Sequence, residues 1–174
     1  ILKFRTMYDT PESYNGTPIT AEGDPRITPY GKWLRDTKLN ELPQFWNVLK
    51  GEMSLVGPRP EVQKFVDMYT EEEEQILTVR PGITDWASIK FHNEGEIIEA
   101  SGIQDADEAY ALLIRPEKLR LQLQYVKEQS LWTDLKIIIT TIIRLFSTRI
   151  SGEYMITPAV EMAATKDSSK DCKG

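Results

Sequence analysis

Apolar and polar residues change their spacing along the chain, and each spacing predicts a different element. Residues 1–7 alternate between the two classes, with Lys3 and Arg5 on one face, which predicts a half-buried strand. The turn-rich segment 8–24 predicts a loop. The pair Thr28-Pro29 then marks a helix start, since Thr is a good N-cap and Pro suits the first helical turn.

The helix that starts at Pro29 is predicted to extend to about Asp36. Its apolar residues, predicted to enter a core, are Tyr30, Trp33 and Leu34. Arg35 lies near its C-terminal end, where a cation complements the helix dipole. From the residues alone, that role and a binding role both stay open for Arg35.

The stretch 38–61 (KLNELPQFWNVLKGEMSLVGPRPE) predicts a helix start, a short amphipathic helix, a strand and a rigid corner. Asn40 is placed to cap the helix, and Glu41 follows where the helix dipole favours an anion. Gly51 is placed to end the helix. One face is apolar and consists of Leu42, Phe45, Trp46 and Leu49.

Residues 53–56 predict a short buried strand, and the prolines of Gly57-Pro58-Arg59-Pro60 hold Arg59 on a backbone with few conformations. A carboxylate at a helix start and an arginine on a stiff corner can lie across one small cleft. The pairing of Glu41 with Arg59 therefore indicates phosphate and metal chemistry. Considered alone, Arg59 could equally be a surface arginine.

The second half of the chain mixes helical and strand patterns. We predict one or two helices over 61–77, a strand over 84–91, a loop over 92–106 and a helical region over 109–130.

Residues 131–146 form the most hydrophobic segment, which is too short to span a bilayer comfortably. A buried core helix and an interfacial helix lying on a membrane are equally open interpretations. Residues 151–174 are predicted to be a largely disordered tail behind a folded domain over 1–150.

Composition narrows the class of protein. The 174 residues are 40% apolar and 28% charged, which suits one soluble domain with a core. The net charge of −6 argues against a general nucleic-acid binder, because such proteins neutralise phosphates with Lys and Arg. The single cysteine, Cys172, excludes an internal disulfide, and with His92 as the only histidine it cannot build a zinc site.

The stretch 38–61, together with KFRTM, DPRITPYGKWLR and VRPGIT, resembles the bacterial sugar transferase family over residues 3–146. The resemblance implies transfer of a sugar 1-phosphate from a nucleotide diphosphate-sugar, usually a UDP-sugar, to polyprenyl phosphate. UMP would be released, Mg²⁺ or Mn²⁺ would assist, and the product would initiate a capsule, O-antigen or exopolysaccharide. The reaction would take place at the cytoplasmic face of a bacterial inner membrane.

The resemblance also carries expectations about the fold. We expect an α/β fold, mainly helical around a small sheet, with amphipathic helices on a membrane-facing side. Residues 1–150 would be the cytoplasmic catalytic domain. Family members carry an N-terminal hydrophobic helix that re-enters the same membrane face, and this chain begins at Ile1, just after that position. The fragment itself is therefore expected to be soluble.

The resemblance assigns catalytic roles to Asn40 and Glu41, where the family usually has an Asp-Glu dyad, and a metal to Glu41. The neutral Asn40 amide cannot act as the anionic nucleophile of covalent phosphoryl transfer. Three accounts stay open. Glu41 takes over as nucleophile or metal ligand, or polyprenyl phosphate attacks directly while Glu41 holds the metal. In the third, the chain is an inactive member that binds nucleotide-sugar or acts as a scaffold.

Five arginines fall within the family's motifs and are predicted to bind phosphate or substrate: Arg59, Arg35, Arg5, Arg26 and Arg80. Arg59 matches the family's phosphate-binding arginine, and its planar fork suits a diphosphate. Arg5, Arg26 and Arg80 could each equally be an ion-pair partner. Two departures from the family, Asp85 in place of a glycine and the acidic stretch 94–107, are expected to affect local geometry and substrate choice. The residues do not specify the sugar, the glycan or the oligomeric state.

Overall fold

The computed structural model of the chain describes residues 1–15, 19–20 and 23–150. This part is mainly helical around a two-stranded parallel sheet, which confirms the predicted α/β class. The strands are β1 (Ser54–Val56) and β2 (Gly82–Thr84). The α-helices are α1 (Pro11–Asn15), α2 (Pro29–Asp36), α3 (Gln44–Leu49), α4 (Gln63–Val66), α5 (Trp86–Lys90), α6 (Glu94–Ala100), α7 (Ala106–Leu113), α8 (Arg115–Glu128) and α9 (Leu131–Ile150). Two 3-10 helices cover Leu39–Glu41 and Glu73–Thr78. The predicted tail over 151–174 lies outside the described residues.

The corner that follows β1 lies directly against β2. Ser54 pairs with Gly82 and Val56 with Thr84, and Gly82 N also donates to Pro58 O at 3.1 Å. A Cβ added to Gly82 would lie 2.1 Å from Gly57 N, so the two backbones touch. Two glycines therefore allow the Pro-Arg-Pro corner to reach across the sheet.

Buried residues form two clusters. The larger one consists of Phe65, Phe91, Ile97, Ile98, Ala109, Tyr110 and Ile114. The smaller one joins the sheet to the last two helices through Val56, Tyr125 and Ile137. Helix α8 packs on α5 and α7 and thereby connects both clusters.

The predicted strand over 1–7 is wrong. The segment makes only one isolated antiparallel bridge, Met7 with Ile27, within the described residues. Its other backbone donors bond to non-strand partners: Phe4 N donates to Asn40 O at 2.9 Å, and Leu2 N donates to Asn47 Oδ1. The alternating pattern belongs to a segment that is hydrogen-bonded to a 3-10 helix and to α3 instead of to a neighbouring strand.

The predicted strand over 84–91 and the predicted loop over 92–106 are also wrong. β2 ends at Thr84, because the Asp85 side chain caps α5 by accepting the Ser88 N–H at 2.6 Å. The predicted loop contains α6, whose Ile97 and Ile98 are buried in the larger cluster. The free energy gained by burying these two isoleucines stabilises a helix in a segment whose other residues are mostly polar.

Several predicted boundaries are confirmed. Thr28 caps α2 and accepts the Gly31 N–H at 2.8 Å, β1 lies within 53–56, and Gly51 follows α3 with a φ of 77°. The region 109–130 is helical but divided between α7 and α8, and the predicted loop over 8–24 contains α1. Of the three α2 residues predicted to enter the core, only Leu34 does so. Tyr30 and Trp33 are exposed and stack on each other.

Helices α3 and α9 present apolar side chains to the outside. On α3 the buried residues are Gln44 and Asn47. Along residues 131–145 of α9 only Ile137 is buried, so the interpretation of this segment as a buried core helix is wrong. No helix in the described ranges is both long enough and apolar enough to cross a bilayer.

Candidate active site

Glu41 lies between two cations. It ends the 3-10 helix Leu39–Glu41, while Arg59 is held on the Pro-Arg-Pro corner after β1. Arg59 Nη1 donates to Glu41 Oε2 at 3.0 Å, Arg59 Nη2 donates to Oε1, and Lys3 Nζ donates to Oε1 at 3.2 Å. The Glu41 side chain is only 14% exposed and that of Arg59 33% exposed. The structure thus brings together Glu41 and Arg59, and adds Lys3.

Electrostatics keep this carboxylate ionised. Burial raises the pKa of Glu41, but the charges and hydrogen bonds of Arg59 and then Lys3 outweigh it and hold the pKa at about 2. Burial lowers the pKa of Arg59, yet the Glu41 carboxylate more than compensates and raises it. Burial lowers the pKa of Lys38, and the charge of Arg59 lowers it further. Three cations thus lie around the Glu41 carboxylate, and the more distant carboxylates of Asp85 and Glu94 also act on Arg59.

Asn40 is not the helix N-cap that the sequence predicted. An N-cap side chain accepts from the amide two or three residues later, and the residue three later is Pro43, which has no N–H. Asn40 lies within the 3-10 helix, and α3 begins at Gln44. Its Oδ1 atom is buried without a hydrogen-bond partner among the described residues. This unpaired oxygen belongs to the residue that directly precedes Glu41 in the chain.

The other predicted arginines are distributed differently. Arg35 is partly buried, which lowers its pKa, and it donates through Nε to Thr6 Oγ1 at 2.8 Å. Arg26 is bound by Asp24, with an Nη2 to Oδ2 distance of 2.6 Å. Arg5 pairs with Asp9 at 2.6 Å on the exposed surface. Arg80 is exposed, makes no ion pair with the described residues, and lines a groove between α3 and α9.

Two cations of the cluster were missed by sequence reasoning. Lys3 was assigned only to a strand face, although its basic position in ILKFRTM was a weak signal. Lys38 adopts a left-handed backbone, with φ 59° and ψ 10°, and starts the 3-10 helix that carries Asn40 and Glu41. Among the described residues it is the only one other than glycine with positive φ. Nothing in its type predicts that conformation, because glycine and asparagine are the usual residues there.

The site contains few metal ligands of its own. Within the described ranges there is no group of three or more His, Cys, Asp or Glu side chains that could hold an ion. Asn40 Oδ1 and the Glu41 carboxylate offer oxygen atoms, which are the ligands that Mg²⁺ prefers. Mg²⁺ sites commonly combine one or two carboxylates with substrate phosphates. The residues present therefore fit a cation that arrives together with a phosphorylated substrate.

A large set of exposed apolar side chains lies on α3, β1 and α9. We call it the α3–α9 surface, and its exposed side chains are Phe45, Trp46, Leu49, Leu55, Leu131, Trp132, Leu135, Ile139, Ile142 and Ile143. A groove between the two helices is lined by Val48, Leu135 and Ile138, and Arg80 lies at the same groove. Large exposed apolar patches mark membrane or protein interaction sites.

Comparison with known proteins gives consistent matches. Residues 1–148 match the model of a family described as bacterial sugar transferase. A UDP-N-acetylgalactosamine-undecaprenyl-phosphate N-acetylgalactosaminephosphotransferase of Aeromonas hydrophila is 39% identical over 145 residues, 82% of this chain and 30% of that protein. An undecaprenyl-phosphate glucose phosphotransferase of Komagataeibacter xylinus is 36% identical over 150 residues, 83% of this chain and 26% of that protein.

A third relative is the UDP-glucose:undecaprenyl-phosphate glucose-1-phosphate transferase of Escherichia coli K12. It is 35% identical over 150 residues, 84% of this chain and 29% of that protein. The chain therefore spans about a quarter to a third of the length of these three relatives.

Proposed function

The chain belongs to the bacterial sugar transferase family, and we propose that it transfers a sugar 1-phosphate from a nucleotide diphosphate-sugar to polyprenyl phosphate. The names of the relatives pair UDP-sugars or sugar phosphates with undecaprenyl phosphate, which supports a UDP-sugar donor and release of UMP. The product would initiate a surface glycan such as a capsule, O-antigen or exopolysaccharide.

The observation that carries this proposal is the Glu41–Arg59 pair with Lys3 beside it. A diphosphate is an anion that needs preorganised positive charge, and a guanidinium fork can bind two phosphate oxygens at once. The carboxylate of Glu41 holds the guanidinium in one orientation through one N–H of each Nη atom, and the second N–H of each can donate to phosphate oxygens. Pro58 and Pro60 reduce the entropy lost in fixing Arg59.

The low pKa of Glu41 bears on the choice between mechanisms. A carboxylate whose two oxygens are bound by cations is a weak nucleophile. We therefore favour direct displacement over attack by Glu41. An oxygen of polyprenyl phosphate forms a bond to the sugar-bearing phosphorus, and the bond from that phosphorus to the bridging oxygen breaks. The electron pair leaves with UMP, while Arg59 and Lys3 stabilise the charge on the phosphates.

A divalent cation, Mg²⁺ or Mn²⁺, would be held by Glu41 and Asn40 Oδ1 together with substrate phosphates. When bound, it would neutralise diphosphate charge and act as a Lewis acid. Among the described residues Glu41 Oε2 accepts a hydrogen bond only from Arg59 Nη1, so its second lone pair would be the position offered to the ion.

We also propose that the chain works at the cytoplasmic face of the bacterial inner membrane. The support is the α3–α9 surface, whose exposed side chains include Trp46 and Trp132. Tryptophans on an apolar helix face favour the interface between headgroups and acyl chains. The site could thus reach the phosphate of polyprenyl phosphate while this lipid stays in the membrane.

A second candidate function follows from Asn40. The usual dyad carboxylate is absent, so the same cluster could bind a nucleotide diphosphate-sugar without turnover, as an inactive or scaffold member of the family. The two candidates differ in whether UMP is released.

The test is UMP release by the protein reconstituted in membrane vesicles with polyprenyl phosphate, Mg²⁺ and a panel of UDP-sugars. We expect turnover by the parent and a loss of about 10²- to 10³-fold in kcat for Arg59→Ala. Arg120→Ala is the matched control, since Arg120 is exposed and, among the described residues, pairs with Glu117 and Gln124 on its own helix. Its turnover should match that of the parent.

Two further comparisons separate the mechanisms. Direct displacement predicts no UMP when polyprenyl phosphate is omitted, whereas a covalent intermediate predicts up to one equivalent per protein. Turnover by Asn40→Asp alone, with a silent parent that still binds UDP-sugar, would support the inactive binding protein. Near-normal turnover by Arg59→Ala would refute the site assignment.

A further inference from the structure

Helix α8 presents a buried polar face. Lys118, Gln122 and Tyr125 follow one another at helical spacing, and all three are buried, Gln122 and Tyr125 almost completely. Burial of three polar side chains in a row on a helix is unusual, because each must find a partner away from water.

These three side chains bond in sequence to the segment that contains the corner. Gln122 Nε2 donates to Arg59 O at 3.1 Å, and Lys118 Nζ pairs with Glu61 Oε1 at 2.6 Å. Tyr125 Oη lies 3.3 Å from Val56 O and shares its one proton between that oxygen and Asp134 Oδ1 at 2.8 Å. The order along α8 is the reverse of the order along 56–61. One face of α8 therefore holds both ends and the middle of this segment.

Asp85 holds Arg59 from the other direction. Its carboxylate is buried, and Oδ2 accepts both the Arg59 N–H at 3.3 Å and the Gln122 Nε2–H at 3.2 Å. Its Oδ1 accepts the Ser88 N–H at 2.6 Å, which fixes the carboxylate to the start of α5. Both backbone polar groups of Arg59 are thus bound by side chains from two other elements.

The amide group of Gln122 is oriented by its contacts with Arg59 and Asp85. Its Oε1 atom is buried without a hydrogen-bond partner among the described residues, while its nitrogen serves Arg59 O and Asp85. The opposite orientation would place an oxygen against two acceptors. The amide nitrogen is therefore directed at Arg59 O and Asp85 although this leaves the amide oxygen unpaired, which is costly for a buried acceptor.

We infer that Gln122 and Asp85 are positioning residues that fix the backbone of Arg59 and so determine where its guanidinium meets the substrate phosphates. This inference rests on the proposed function. The prolines on either side restrict the torsions of the corner, but they do not anchor it to the rest of the molecule. The two buried side chains supply that anchor.

The test is a double-mutant cycle between Gln122→Met and Arg59→Ala, measured as UMP release in vesicles with labelled UDP-sugar. Met has nearly the same volume as Gln and cannot donate. Because displacement of a charge donor by about 1 Å can cost up to about 10²-fold, we expect Gln122→Met to lower kcat by roughly 10- to 100-fold. In the Arg59→Ala background the same change should cost nothing, since no guanidinium is left to position.

Tyr125→Phe is the matched control. It removes a buried donor from the same face of α8, but one that bonds to Val56 O and Asp134 instead of Arg59. A purely structural role for this face predicts that both variants lose stability and lower kcat alike. It also predicts that Gln122→Met costs the same with and without Arg59. Either result would overturn the inference.

Asp85→Asn provides a second route if Gln122→Met does not fold. It places a donor opposite either the Arg59 or the Ser88 amide, and it should show the same dependence on Arg59. A third readout does not need turnover. The Nε–H signal of Arg59 in ¹⁵N-arginine-labelled protein, assigned with Arg59→Lys, should shift in Gln122→Met and Asp85→Asn and stay in place in Tyr125→Phe.

The two failures can be told apart. A parent that releases no UMP from any nucleotide-sugar removes the proposed function, and the Arg59 signal then decides the positioning role alone. A parent that turns over while Gln122→Met and Asp85→Asn keep full kcat and an unshifted signal removes the positioning role only.

Discussion

Glu41 receives its charged hydrogen bonds from residues that are distant along the chain, Lys3 at 38 positions and Arg59 at 18 positions. Such a cluster gains its strength from partial burial, because the attraction between opposite charges grows as water is excluded. The same burial makes any single partner costly to remove, since the remaining charge is left without compensation. The protonation of Glu41 should therefore be visible in the stability of the whole chain.

The free energy of unfolding should decrease as pH falls from about 4.5 to about 2, with Glu41 contributing about 3 kcal/mol of this decrease. The pKa of Glu41 is lowered from 4.5 to about 2 in the folded chain, so its stabilisation is complete above 4.5 and is lost as pH passes through 2. Urea unfolding of the parent and Glu41→Gln between pH 2 and 6 measures this contribution.

The difference in stability between parent and Glu41→Gln should shrink toward acid. Glu74→Gln, which removes an exposed carboxylate without an ion pair in the described structure, controls for the loss of one negative charge. A Glu41→Gln difference that stays constant from pH 6 to pH 2 would contradict the assignment of this carboxylate to Arg59 and Lys3.

Single residues were predictable where the chemistry is local. Thr28 was identified as a cap because the bond it makes lies within four residues. The pairing of Glu41 with Arg59 could be proposed from two stiff local motifs. Lys3 could not, because its contact with Glu41 depends on how residues 1–7 fold back, and the left-handed Lys38 has no signal in its residue type.

At the scale of elements, α3 reverses the usual rule for amphipathic helices. Its polar Gln44 and Asn47 are buried, and Asn47 accepts the Leu2 N–H while its amide donates to Glu52 at 2.6 Å. Its apolar side chains Phe45, Trp46 and Leu49 are exposed, and Val48 lines the groove that α3 shares with α9. Periodicity identified the apolar face of α3 correctly, but a pattern of spacing does not specify whether a face meets a core or a membrane.

The outward apolar faces predict binding to lipid vesicles. We expect the chain to co-sediment with uncharged phosphatidylcholine vesicles. Trp46→Glu and Trp132→Glu should each lower the partition coefficient by about tenfold or more, because each replaces an indole that enters the lipid by a charge. The net charge of −6 means that anionic lipid should not strengthen the binding.

Leu112→Glu is the control for this experiment. Leu112 is 62% exposed, but it lies on α7, which packs on α6 and α8. Its substitution should leave vesicle binding unchanged. Equal losses in all three variants would show that general surface polarity, and not the α3–α9 surface, determines the interaction.

At the scale of the whole molecule, the candidate site is assembled from three separate segments, 1–7, 38–41 and 57–61, against α5 and α8. The family resemblance covers all of them and identified the motifs. The resemblance did not predict which motifs contact each other. Those contacts depend on how the corner over residues 57–60 packs against β2 and on the polar face of α8. The sequence predicted a helical region over 109–130, which contains α8, yet nothing in it indicated that Lys118 and Gln122 would be buried. A pair of touching glycines, Gly57 and Gly82, makes the packing of the corner on β2 possible.

This packing can be tested with one methyl group. In Gly82→Ala the new Cβ would lie 2.1 Å from Gly57 N, a backbone atom that can move only with the whole corner. We expect a loss of about 3 kcal/mol or more in the free energy of unfolding, because overpacking against backbone cannot be relieved by a rotamer change.

Gly102→Ala is the control: its φ is 69° with nothing within 4 Å, so only the left-handed backbone is penalised, by about 1 kcal/mol. Urea unfolding measures both, and a Gly82→Ala chain as stable as Gly102→Ala would mean that the corner does not lie against β2. Arg59, Gln122 and Asp85 would then lose the geometry that places them together.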